Sequence, residues 1–229
     1  MIRTIFLDLD DTILDFQKGE RMALRKTFDA MGISYDEAII ERYLQINYEH
    51  WRALERGEIT RDQVLIGRFE RLFEEMEIEV SANDAQDLYQ KLLSYEHDFL
   101  PGGKEMLDAL TESGKYKLYM ATNGIPEVQY PRIKDSGIGK YFEKIFISYE
   151  IGYPKPKIEF FEGCFAQIDG FKKDECIIVG DSLSSDIRGG INAGIKTCHL
   201  NRFNIGYGDI VPDYTINNLS ELAPLIESI

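Results

Sequence analysis

Positive charge, cysteine and long apolar runs are all scarce in this chain, and each shortage closes off a class of function. Only 26 lysines and arginines stand against 40 aspartates and glutamates, a formal net charge of −14. A field of that sign repels the phosphate backbone of DNA or RNA and the anionic face of a membrane, so neither is an expected partner. It says little against a small phosphorylated ligand, because site charges and a bound metal outweigh distant surface charge at physiological ionic strength. The three cysteines, Cys164, Cys176 and Cys198, are odd in number, widely spaced and set in apolar surroundings. That pattern favours buried reduced thiols over disulfides or zinc. No apolar run approaches the roughly 18 residues of a membrane span. The chain opens directly on a strand, without a basic stretch and apolar leader, so a cytoplasmic protein is expected. Repeats, low-complexity segments and long linkers are missing too.

What remains is 229 residues, 44% of them apolar, enough for one large domain or two small ones around a substantial core. Apolar runs at Thr4 to Leu7, Lys117 to Ala121, Lys144 to Ser148, Cys176 to Gly180 and Thr197 to Leu200 predict strands, with a weaker edge candidate at Tyr214 to Ile216. Helical patterns at Gly103 to Ser113, Pro126 to Ser136, Glu159 to Ile168 and Ser185 to Ala193 lie between them. Strands alternating with helices imply parallel crossovers and a doubly wound α/β sheet, whose ligands bind outside the carboxyl ends of the strands.

From about Asp15 to His97 the pattern is helix alone. Ala23, Leu24, Phe28 and Met31 recur at helical spacing, then Tyr43, Leu44, Ile46 and Asn47, then Val64, Leu65, Phe69, Leu72 and Phe73, then Leu88, Leu92 and Leu93. The expected division is a core of residues 1–14 and 100–229, interrupted by an all-helical cap of residues 15–99 that hangs over the end of the first strand.

That strand end carries the chemistry. Asp8 and Asp10 follow Ile5-Phe6-Leu7, where two crowded anions oppose folding unless a cation or proton compensates. A second strand ends in Val179-Gly180-Asp181, with Asp186 five residues on, so parallel pairing gathers four carboxylates at one point. An all-oxygen cluster suits magnesium better than a softer metal that needs His or Cys. Thr122-Asn123-Gly124 offers a hydroxyl, an amide and backbone N–H groups to phosphoryl oxygens. Lys155, flanked by Pro154 and Pro156, is a cation on a stiffened loop, able to stabilise a nucleophile and a transferring phosphoryl group.

In chain order these segments read DxDxT, TN, KP and GDxxxxD. The set resembles the four signature motifs of the haloacid dehalogenase-like hydrolase superfamily, over essentially the whole chain. The resemblance implies a Rossmann-like core with an inserted helical cap, and it carries roles. Asp8 would be the nucleophile that forms an aspartyl-phosphate, and Asp10 the acid that protonates the leaving oxygen and then activates water. Thr122 and Asn123 would bind the phosphoryl oxygens, and Lys155 would stabilise the charge. Asp8, Asp10 and Asp181 would form the Mg²⁺ site, supported by Asp186, which holds the metal through water or orients Lys155. Haloacid dehalogenases generally lack the second aspartate, since a halide needs no proton, so Asp10 points to a phosphatase.

A finer resemblance rests on Asp8 to Phe16, on Thr122-Asn123-Gly124 followed by Gln129 and Arg132, and on Gly180 to Gly190 followed by Asn192-Ala193-Gly194. These look like the pyrimidine 5′-nucleotidase subfamily, in which a nucleoside monophosphate is dephosphorylated in a house-cleaning role. His199 departs from that subfamily, which often has Trp or Tyr at its position. A phosphatase or mutase for sugar phosphates or phosphoglycolate would use the same core residues. A non-catalytic phosphate-binding module is disfavoured by intact Asp8, Asp10, Lys155 and Asp181. A monomer or weak homodimer is expected.

Other polar and aromatic residues have plainer readings. His50 and His97 are expected to pack or face solvent, and Arg132 to be a surface charge or a contact to the Lys155 loop. Tyr43, Tyr48, Trp51, Phe69, Phe73 and Tyr89 are expected in the helical core. Phe16, at the hinge above the acids, is the aromatic expected to meet substrate.

Overall fold

A computed structural model describes residues Met1–Ile229. Its centre is one parallel sheet of β1 (Thr4–Leu7), β2 (Lys117–Thr122), β3 (Lys144–Ile147), β4 (Cys176–Gly180), β5 (Lys196–Leu200) and β6 (Tyr214–Ile216), in the order β3-β2-β1-β4-β5-β6. All of the expected strands are present, the weak edge candidate included. β1 is flanked by β2 and β4, with Leu7 opposite Met120 on one side and Val179 on the other. The chain therefore winds outward from β1 in both directions, and the crevice at that reversal lies beyond the ends of β1, β2 and β4.

The sheet is apolar on both faces, as parallel strands covered by helices must be. Ile5 and Leu7 join Leu118, Met120, Ile177 and Val179 in one core layer, while Phe6, Tyr119, Ala121 and Ile178 fill the other.

Between β1 and β2 stand α1 (Phe16–Met31), α2 (Glu37–Glu55), α3 (Arg61–Glu75) and α4 (Ala82–Leu93), packed around a separate core that includes Leu24, Phe28, Tyr43, Phe69 and Tyr89. Local chemistry sets their ends. Asp15 caps α1 by accepting from the Lys18 amide, Gly32 closes it in the left-handed conformation at φ 66°, and Thr60 and Gln63 form a reciprocal capping box on α3. On α4 the buried positions are Ala85, Gln86, Tyr89 and Leu93, so Leu88 and Leu92 lie at the edge of its stripe rather than its centre.

The two connections of this helical segment run side by side. Leu14 bridges Phe99 in antiparallel fashion, the Asp15 amide donates to the Asp98 carbonyl and the Leu100 amide to the Ile13 carbonyl. After them come α5 (Gly103–Glu112), α6 (Pro126–Asp135), α7 (Ser148–Ile151), α8 (Ile158–Phe165), α9 (Arg188–Ala193) and α10 (Leu222–Ser228). α5 and α10 cover one sheet face and α8 and α9 the other, whereas α6 sends Ile125 just before it and Val128 into the core of the helical segment.

Two boundaries differ from expectation, and the first is that α8 ends at Phe165 rather than Ile168. The helix predicted from Ser185 begins as a wide π-type turn over Leu183–Ile187 before α9. Asp186 explains the widening: its carboxylate accepts from the Ser182 amide and from Lys155, which draws that turn toward the site. All three cysteines are buried and unpaired. No helix is long and apolar enough to cross a membrane.

Candidate active site

Each strand around the crevice delivers one polar residue as it ends. The Asp8 amide still donates to the Val179 carbonyl at 3.0 Å, so its carboxyl leaves the sheet at a fixed point. Thr12 folds back beneath it, with its hydroxyl oxygen 3.4 Å from Asp8 Oδ2 and accepting from the Asp181 amide at 3.1 Å. β2 ends on Thr122, whose hydroxyl accepts from the Gly124 amide and, at 2.9 Å, from Gln129 Nε2. Gly124 is required there, since a Cβ would overlap the Gln129 amide. β4 ends on Gly180, where a Cβ would strike the Asp186 carboxylate. Across from Gly180, His199 of β5 donates from Nε2 to the Asp181 carbonyl at 2.9 Å, so the residue that departs from the nucleotidase pattern braces the Asp181 backbone.

Lys155 is fully buried and has no spare proton. Its ammonium donates to Asp8 Oδ1 at 2.7 Å, Asp186 Oδ1 at 2.6 Å and the Ala121 carbonyl at 2.6 Å. Burial works against that charge, but the carboxylates of Asp186 and Asp8 outweigh it and leave its pKa raised. The backbone of Lys155 is clamped as well: its amide donates to Asn123 Oδ1, and Asn123 Nδ2 donates to its carbonyl, both at 2.9 Å. The Asn123 side chain thus holds the Lys155 backbone, and its Nδ2 also donates to Ser185 Oγ at 3.3 Å.

Oxygens of Asp8, Asp181 and Asp186 lie within 4.8 Å of one another. Lys155 is the one cation that bonds any of them. Burial pushes the Asp8 carboxyl up to about 7 despite the pull of Lys155, with Asp186 and Asp10 adding to the rise. Burial likewise carries Asp181 well above the ordinary carboxylate range, with Asp8, Asp186 and Asp11 adding to it. An all-oxygen cluster with more negative charge than one ammonium neutralises fits a hard divalent cation such as magnesium.

Asp10 turns elsewhere. Its Oδ1 accepts from Arg132 Nη1 at 2.5 Å and its Oδ2 from Gln129 Nε2 at 2.7 Å, so its carboxyl does not join the cluster of the other three. Arg132 is neither a surface charge nor a contact to the Lys155 loop. It is fully buried on α6 because Asp10, Gln129 and the Glu96 carbonyl supply acceptors that an exposed site would not. Between the strand ends and the helical segment lies a cavity of about 210 Å³, lined below by Asp8, Asp10, Thr122 and Lys155 and above by Phe16, Trp51, Leu65 and Tyr89.

A family model described as haloacid dehalogenase-like hydrolase matches residues 2–194. The chain belongs to that family. The HAD-hydrolase YfnB of Bacillus subtilis (strain 168) is 38% identical over 221 residues, which cover 96% of this chain and 93% of that protein. The crystal structure of YfnB bound to magnesium, described as revealing interdomain movement, superposes with a TM-score of 0.93 over 98% of each chain. The pyrimidine 5′-nucleotidase PynA of Streptococcus pneumoniae (strain ATCC BAA-255 / R6) is 34% identical, with 97% of this chain and 94% of that protein covered. The pyrimidine 5′-nucleotidase YjjG of Escherichia coli (strain K12) is 30% identical, with 97% and 96% covered.

In this haloacid dehalogenase-like hydrolase, Asp8, Asp10, Thr122, Asn123, Lys155, Asp181 and Asp186 all reach the one crevice, and Phe16 overhangs it. Sequence reasoning underrated three others that line it. Trp51 and Tyr89 were expected in the helical core, and Tyr89 does pack there, yet both also face the cavity. Arg132 entered the subfamily resemblance with Gln129, but nothing in the sequence showed that it pairs with Asp10. Tyr48, by contrast, is exposed rather than core, while His50 packs against its own helix by bonding the Ile46 carbonyl.

Proposed function

We propose that the protein is a Mg²⁺-dependent phosphomonoesterase that hydrolyses nucleoside 5′-monophosphates through an aspartyl-phosphate on Asp8. The observation that carries this reading is the division of labour at the end of β1. Asp8 and Asp10 face one cavity two residues apart, Asp8 bonded to Lys155 and Asp10 to Arg132 and Gln129. One acid, bonded to a lysine within the acidic cluster, is the nucleophile, and the other, held apart from that cluster, is the proton carrier.

In the first step an Asp8 carboxylate oxygen bonds to phosphorus, the bond from phosphorus to the leaving oxygen breaks, and Asp10 gives its proton to that oxygen to release the alcohol. In the second, Asp10 takes a proton from water as its oxygen attacks the same phosphorus, which frees inorganic phosphate and restores Asp8. Lys155 holds the Asp8 carboxylate in place and offsets charge on the phosphoryl oxygens, and the Thr122 hydroxyl, in the cavity lining, would donate to one of those oxygens. Asp8 and Asp181, with Asp186 beside them, would hold magnesium, which supplies positive charge to the transferring phosphoryl group. Asn123 acts through Lys155, by fixing its backbone.

The roof of the cavity supports this substrate class. Phe16, Trp51, Leu65, Tyr89 and Leu93, with Ile125 and Val128 from the α6 side, supply apolar and aromatic surface on which a nucleobase would stack, and Glu55, Arg68 and Gln90 are the polar members of the same roof. The two pyrimidine 5′-nucleotidase relatives support the same choice. We read residues 15–99 as a cap on a core of 1–14 and 100–229, opening about the paired connections at Leu14 and Phe99 to admit nucleotide. The interdomain movement described for YfnB supports that reading.

The test is phosphate release from a panel of nucleoside monophosphates, hexose phosphates and phosphoglycolate, with Mg²⁺ and with EDTA. Metal-dependent release favouring UMP, dUMP or dTMP is the expected result. Preference for a sugar or organic-acid phosphate would overturn the substrate class and leave the chemistry standing.

A further inference from the structure

We propose that Arg132 is a positioning residue for Asp10, and that it ties the aim of the acid to the seating of the helical segment. The inference rests on the reading of Asp10 as proton carrier and names what holds it. Both carboxyl oxygens of Asp10 are taken by side chains one helical turn apart on α6, Oδ1 by Arg132 Nη1 at 2.5 Å and Oδ2 by Gln129 Nε2 at 2.7 Å. Two donors at two oxygens fix the plane of the carboxyl as well as its position. Arg132 Nη1 also donates to Gln129 Oε1 at 2.8 Å, so the two donors brace each other.

The rest of the guanidinium reaches into the helical segment. Its Nε donates to the Glu96 carbonyl at 2.7 Å, on the connection that returns from α4, and its Cζ lies 5.7 Å from the centre of the ring of Phe16, the first residue of α1. Gly19 of α1 packs against Glu96, where a Cβ would crowd the Glu96 side chain. One rigid fork therefore meets the returning connection, the start of α1 and the acid at once. When the helical segment lifts, the Glu96 carbonyl and the Phe16 ring leave Arg132, and the carboxyl of Asp10 loses the frame that aims it at the leaving oxygen. Proton delivery is then confined to the seated arrangement, in which the cavity is closed around substrate.

The experiment compares two substrates that differ in their need for a proton. A nucleoside 5′-monophosphate expels an alkoxide and needs the acid, whereas p-nitrophenyl phosphate expels a stable phenolate and hardly does. General acid catalysis is worth roughly 10²–10⁴-fold, so Arg132→Met is expected to lower the single-turnover rate of leaving-group release, which precedes the second-step role of Asp10 as base, about 10²-fold on the nucleotide and at least about tenfold less on p-nitrophenyl phosphate. Asp10→Asn should show the same split, and Arg132→Met added to Asp10→Asn should cost nothing further on the nucleotide. Circular dichroism and melting temperature establish that each variant is folded. If Arg132→Met is not, Arg132→Lys carries the comparison: its single amine reaches Asp10 or the Glu96 carbonyl but not both, and a smaller selective loss is expected.

Equal losses on the two substrates, or additive losses in the double variant, would overturn the positioning role while a selective Asp10→Asn leaves the acid assignment intact. A non-selective Asp10→Asn would overturn the acid assignment itself. If the wild type prefers another alkyl phosphate to every nucleotide, only the substrate class fails, and that alkyl phosphate replaces the nucleotide in the comparison.

Discussion

Glu20 offers a measurement of how the helical segment tolerates charge. It is buried on α1, and its Oε1 accepts from Asn47 Nδ2 at 2.5 Å. Asn47 in turn accepts from Arg68, whose other terminal nitrogen donates to Gln86 at 2.8 Å. Burial pushes the Glu20 carboxyl from an ordinary 4.5 up to about 7, against the opposing pull of Arg68. A carboxyl whose pKa is raised by folding keeps its proton in the folded state at pH values where the unfolded chain has lost it. Stability from this group therefore falls as pH rises from 4.5 to about 7, and the full cost stands above that. At 1.36 kcal/mol per pH unit the cost is about 3 kcal/mol.

Glu20→Gln keeps an oxygen for Asn47 and removes the charge. It should melt together with wild type at pH 4 and above it at pH 8, by roughly 2–4 °C for each kcal/mol in a chain of this size. Thermal unfolding followed by circular dichroism at pH 4, 6 and 8, with EDTA throughout, reads the difference. A Glu20→Gln protein less stable than wild type at pH 8 would refute the reasoning, because it would mean that Arg68 holds Glu20 as a favourable ion.

Three further outcomes are expected at the site. Asp8→Asn should lower turnover more than ~100-fold with the far-ultraviolet spectrum unchanged, and retention of a hundredth of wild-type activity would refute the nucleophile assignment. Asn123→Ala, by freeing the backbone of Lys155, should lower kcat roughly 10–100-fold with KM for nucleotide little changed; a rise in KM alone would instead make Asn123 a phosphate ligand. Phe16→Ala should reduce the rate on nucleoside monophosphates relative to sugar phosphates by about tenfold or more, the worth of one stacked base, and an unchanged ratio measured in the substrate panel would remove Phe16 from recognition.

The strands were legible because each is a short apolar run that ends in a polar residue, and a parallel sheet covered on both faces leaves no other place for such a run. The acids were legible for the same reason, since Asp8, Thr122 and Asp181 each stand at or just past a strand terminus, and a doubly wound sheet brings those termini together. The helical segment announced itself by a change of period. The lining of the cavity did not: Trp51, Leu65 and Tyr89 sit on stripes that also serve the helical core, and helical spacing alone cannot say which edge of a stripe meets a second body.

Partner choice was the least legible property, and it is what separates the two aspartates of the first motif. Asp8 and Asp10 lie two residues apart, and nothing in residue type distinguishes them. Asp8 takes a cation from a loop 147 residues on, and Asp10 takes one from a helix 122 residues on. The cations differ in kind. A lysine ammonium is a compact charge with three donors, and Lys155 divides them among Asp8, Asp186 and a carbonyl, bonding a single oxygen of Asp8. A guanidinium is a planar fork, and Arg132 uses it to lock a direction: with Gln129 it fixes both Asp10 oxygens while its Nε engages the helical segment. The carboxyl with an oxygen clear of its cation suits attack on phosphorus, and the carboxyl held at both oxygens keeps a fixed direction at the cavity. The fold gives the two aspartates different cations from distant parts of the chain, so that on the proposed reading four short motifs locate the chemistry while Arg132, outside all of them, would aim the acid.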